Sequence, residues 1–109
     1  MPLVNTSPKK PKASDFPALR SFLRGYLHQD MKDEYGSPAE AAAEFYTDAD
    51  PDERSAVARE WDRFVTQMKH APLDEFNRFL TRELGSAYSL TTEDIQQISA
   101  TFAPGNKHR

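Results

Sequence analysis

Apolar residues recur at spacings of three and four along most of this 109-residue chain, the period of helices with one buried face rather than the alternation of strands. Phe16, Leu19, Phe22, Leu23, Tyr26 and Leu27 draw the first stripe. Ser14 or Asp15 is placed to cap this helix, with Pro17 in its first turn, and the pattern predicts a run to about Met31 or Asp33 closed by Gly36. Ser37-Pro38-Ala39-Glu40 reads as a capping box that opens a short alanine-rich helix through Tyr46. Asp50-Pro51-Asp52-Glu53 repeats that grammar before a long third helix with Val57, Trp61, Phe64, Val65 and Met68 on one face and Trp61 as its core anchor. Pro72 starts a fourth helix with Leu73, Phe76, Leu80 and Leu84 as its buried line and Gly85 at its end. After a turn over Ser86 to Leu90, Thr91 or Thr92 caps a last helix carrying Ile95, Ile98 and Phe102.

The fold expected is therefore all-α, a single-domain bundle of about five helices over residues 14–104. Short connections predict antiparallel neighbours. Residues 1–13, rich in proline and lysine, read as a disordered basic leader, and residues 105–109 as a disordered polar tail, since neither can bury enough apolar surface to offset ordering entropy.

Composition narrows the chemistry. With no cysteine there is no disulfide staple and no thiolate nucleophile or ligand. No signal peptide or membrane-spanning run is evident, so a cytoplasmic protein without membrane contact is expected. The four glycines are well separated, which excludes a glycine-rich phosphate cradle, and no Gly-x-Ser-x-Gly elbow occurs. Asp30, Asp33 and Glu34 share one helical face and could hold a hard cation, with His28 nearby. Three acids near a helix end are more often a solvated face, and His28 lacks a visible orienting group. No catalytic residue, metal ligand or cofactor is assigned, and an enzyme is not expected.

Charge carries more information. The net charge is −3, yet all seventeen acids lie between Asp15 and Asp94 against nine basic residues there, a net of −8. The stretch from Asp30 to Asp62 holds eleven of those acids and only Lys32, Arg54 and Arg59. Some of the acids cap helices; Asp30, Asp33, Glu34, Asp48 and Asp50 remain, either to meet a partner or as plain solubilising charge. Such a field disfavours nucleic acid as direct ligand and favours a basic protein. Tyr35, Tyr46 and Tyr88 fall at helix ends or in loops, where core packing and contact with a partner are both open, and Tyr46, beside Asp48 and Asp50, is the aromatic anchor expected if that surface meets a basic partner.

Three segments resemble a known family. Phe16-Pro17-Ala18-Leu19 with Gly25-Tyr26-Leu27-His28-Gln29-Asp30, then Glu34-Tyr35-Gly36-Ser37-Pro38-Ala39-Glu40-Ala41, then Arg59-Glu60-Trp61-Asp62-Arg63-Phe64 are similar to the small immunity proteins of bacterial contact-dependent growth inhibition systems. The likeness covers residues 16 to 68. It implies a cytoplasmic antitoxin-like inhibitor that binds the C-terminal toxin domain of a delivered effector. Many such toxins are nucleases with basic grooves, which an acidic face could occupy. The site then consists of Asp30, Asp33, Glu34, Tyr46, Asp48 and Asp50. The rival readings are a generic helical interaction or regulatory domain working through its basic leader and, more distantly, a metal-dependent enzyme centred on His28, Asp30 and Asp33. Oligomeric state is not encoded in any of these patterns.

Overall fold

The structure, a computed structural model, describes residues 12–103. The expected leader and tail lie outside the described residues, apart from Lys12 and Ala13. A 3-10 turn at Ala13–Asp15 leads into α1 (Pro17–Tyr26), α2 (Met31–Glu34), α3 (Pro38–Asp48), α4 (Pro51–Gln67), α5 (Leu73–Arg82) and α6 (Thr92–Phe102). The architecture is all-α, as the periodicity predicts; among the described residues there is no strand.

Three helix starts follow their local signals. Ser37 Oγ accepts from the Glu40 N–H, Asp50 Oδ1 from the Glu53 N–H at 2.9 Å, and Thr91 forms a reciprocal box with Asp94. The box expected at Ser37 is only half made. The Glu40 carboxylate lies over Gly36 instead, where a Cβ would come within 2.5 Å of its Oε1. Gly36, at φ 100°, closes α2.

The first helix departs from expectation at both ends. Ser14 and Asp15 sit in the 3-10 turn, and the residue before α1 is Phe16, buried against Phe64 and beneath the Arg63 guanidinium. Phe16 offers no side-chain acceptor, so the orphan amide of Leu19 is satisfied from another helix: it donates to Oε1 of Glu60 in α4 at 2.8 Å. Glu60, 9% exposed, is thereby paired rather than stranded. At the far end α1 stops at Tyr26, because main-chain carbonyls beyond it have other partners. Leu27 O accepts from the Ala87 N–H at 2.8 Å and Gln29 O from the Tyr88 hydroxyl at 2.7 Å. The continuation expected through Met31 or Asp33 thus becomes a separate turn of helix, and six α-helices replace about five.

The core is aromatic. Phe22, Phe45 and Phe102 meet ring to ring where α1, α3 and α6 converge. Trp61 lies between Phe64, Phe76 and Phe102, its indole N–H donating to Ser99 Oγ at 2.9 Å. Each fully buried ring of this kind contributes about 1.5–3 kcal/mol relative to exposure. Leu73, expected on the buried line of the fourth helix, is instead 43% exposed, since α5 reaches α4 through Phe76 and Phe79 further along.

Candidate functional site

The end of α1, the short α2, α3 and the first turn of α4 come together on one side of the bundle. Phe22 stacks on Tyr26 at 5.7 Å, and Tyr26 stacks on Tyr35 at 5.4 Å with ring planes 23° apart. An aromatic ladder therefore runs from the core to the surface, ending in two half-buried phenols. Neither hydroxyl makes a hydrogen bond within the described residues.

Carboxylates surround this pair. Both phenols are held above the ordinary 10.0, first by loss of hydration. Asp48, Glu53 and Glu44 add to the effect on Tyr26, as Glu34, Glu44 and Asp48 do on Tyr35. Glu44 and Asp48 stand four apart on α3, hence on one face, and Asp48 ends that helix where the dipole is already negative. Acids placed there do not help the helix. Nor are they offset by the protein's own cations: among the described residues the ion pair closer than 4.0 Å is His28 Nε2 to Glu34 Oε1, at 2.9 Å.

The six residues expected to meet a partner have different surroundings. Glu34 and Asp48, fourteen positions apart, are brought to the same phenol. Asp30 and Asp33 are exposed at α2 without side-chain caps to make. Asp50 is engaged as the cap of α4. Tyr46 is half buried with the Arg54 guanidinium 4.9 Å from its ring centroid, and its ring packs at a tilt of 32° against Phe102 of the core. Tyr26, Glu44 and Glu53 belong to the same surface and were not expected there; their signal is the i, i+4 pair on α3 and a tyrosine at the margin of the first stripe.

The His28 ring is engaged at both nitrogens. Its Nδ1 accepts from the Asp30 N–H at 3.1 Å and its Nε2 faces Glu34, so neither nitrogen is turned to an open site. Among the described residues no group of three or more histidine, aspartate or glutamate side chains is arranged to hold a metal ion. No helix of the described chain is long and apolar enough to cross a membrane.

Comparison with known proteins places the fold. The chain superposes on a solved structure described as the CdiA-CT/CdiI complex from Y. kristensenii 33638, with a TM-score of 0.64 and 25% identity over 80% of this chain and 97% of that one. The comparison with curated proteins gives no match. The model of the CdiI immunity protein family matches residues 15–97, which takes in the segments at residues 16–68 and continues through α5 into α6. The chain belongs to the CdiI immunity protein family.

Proposed function

We propose that this protein is the immunity partner of a contact-dependent growth inhibition effector, and that it neutralises the effector's C-terminal toxin domain by laying an acidic, tyrosine-centred face over a basic surface of that domain. The protein it superposes on belongs to a toxin–immunity complex, which supports a toxin domain as partner. The observation that carries the mechanism is the Tyr26–Tyr35 stack with Glu34, Glu44, Asp48 and Glu53 around it, uncompensated by lysine or arginine. Stacked rings with flanking carboxylates accept a guanidinium or ammonium through the ring face and the charge together. A toxin whose substrate is a polyanion has such cations in its groove, and covering them removes substrate access. The protein then works by occlusion, in the cytoplasm where the delivered toxin acts, and needs no catalytic group or cofactor of its own. Asp30 and Asp33 extend the face along α2, and Tyr46 and Asp50 border it.

The test is binding of the purified cognate toxin domain. Glu44→Lys with Asp48→Lys is expected to slow association and weaken affinity at least about tenfold at low salt, with the helical circular dichroism kept. Unchanged affinity and salt dependence would reject the face as the binding site.

A further inference from the structure

On the flank of the acidic face α4 and the end of α6 separate to leave a groove of about 810 Å³. Its floor is the edges of Trp61 and Phe102, and small residues on α4, Ser55 and Ala58, keep it open. Two arginines, Arg54 and Arg59, line it against one acid, Asp62, in a stretch of sequence that is otherwise heavily acidic. Neither guanidinium is within 4.0 Å of a carboxylate of the described residues. Arg59 is exposed and makes no hydrogen bond there. Arg54 gives one N–H to Ala49 O at 2.9 Å, while its Nε is buried without an acceptor. A buried donor left unpaired is uncommon, because it forfeits its hydration for nothing.

We infer that this groove receives a segment of the same toxin domain that presents a carboxylate between apolar side chains, the carboxylate meeting Arg59 and Arg54. This rests on the proposed immunity function and adds a second, oppositely charged contact to it. Charge complementarity identifies the occupant: free guanidinium donors pair best with a carboxylate, and the apolar floor asks for apolar neighbours beside it. Continuity supports it as well, since Tyr46 and Pro51 line the groove while Asp48 and Asp50 border them on the acidic side. An interface that demands an acid at one end and a base at the other rejects toxins that are merely basic.

The sign of one substitution separates this from general attraction. Arg59→Glu makes the chain more acidic, so with an empty groove it would quicken association with a basic partner. With the groove occupied, it is expected to weaken affinity about tenfold or more, mainly through faster dissociation. Ser55→Trp, at an exposed position, is expected to fill the groove and weaken binding without altering the circular dichroism or the thermal midpoint. Arg78→Glu, the same charge change on α5, should stay within about twofold of the parent. If Glu44→Lys with Asp48→Lys weakens binding while Arg59→Glu strengthens it and Ser55→Trp is neutral, the groove inference falls and the immunity reading stands. If the unaltered protein does not bind the toxin domain at all, both fall. If Ser55→Trp changes only self-association, read by sedimentation, the occupant is a second copy of this chain and the inference is overturned.

Discussion

Two sides of this small bundle use the same residue types to opposite ends. Where α5 meets the loop at residues 86–90, polar groups are spent inside the molecule. Asn77 both donates to Leu90 O at 2.8 Å and accepts from the Leu90 N–H at 2.6 Å, Ser86 closes on the main chain of Tyr88, and the Tyr88 hydroxyl ties the loop to Gln29. On the acidic side, two tyrosines keep their hydroxyls free, and Glu44 and Asp48 stand together at the wrong end of a helix. Groups that complete the fold are paired, and groups that work against it are left open; the second kind forms the face proposed above to meet the toxin domain.

The sharpest way to break this comparison is at Asn77. Asn77→Ala removes both hydrogen bonds to Leu90 and is expected to cost about 2–3 kcal/mol, lowering the thermal midpoint by roughly 10 °C, with toxin affinity of the folded protein retained. Calorimetry beside a binding titration decides it, and lost affinity in a folded protein would place α5 in the interface. Next comes Glu60, an acid that belongs to the paired class. Glu60→Leu strands the Leu19 amide and should cost about 2 kcal/mol, whereas Glu60→Gln keeps an acceptor and should cost about half as much, as urea unfolding would show.

The phenols give a pH test. Folding raises Tyr26 and Tyr35 above 10.0, so above that pH the unfolded chain loses protons more readily than the native one, and stability falls as pH climbs from the ordinary value through the folded ones. Ultraviolet titration of phenolate should show Tyr26 and Tyr35 ionising above the ordinary value, and Asp48→Asn should bring both closer to it. The smallest effect has the most telling sign. Asp48→Lys relieves Glu44 and suits the helix end, and is expected to raise stability by about 0.3–1 kcal/mol while weakening toxin binding. A loss of stability would mean that Asp48 belongs with the paired acids after all.

The sequence announces α3, α4 and α6 through Ser37, Asp50 and Thr91, because a cap is a short-range device written within three residues. It misplaces both ends of α1, since the acceptor for Leu19 is 41 residues away and the donors that halt the helix come from Ala87 and Tyr88. The acidic composition of the proposed face is legible by counting charges. The tyrosine stack is not, because Tyr26 reads as one more apolar position until α2 folds back and sets Tyr35 against it.

The contact between Glu60 and Leu19 reaches beyond local stability. The opening turn of α1 carries no acceptor of its own, so its instruction to become helical is held in α4 and delivered only when the two meet. A peptide of residues 12–30 should accordingly be mostly coil in water, and native-state hydrogen exchange should find the first turn of α1 opening together with α4 rather than fraying ahead of it.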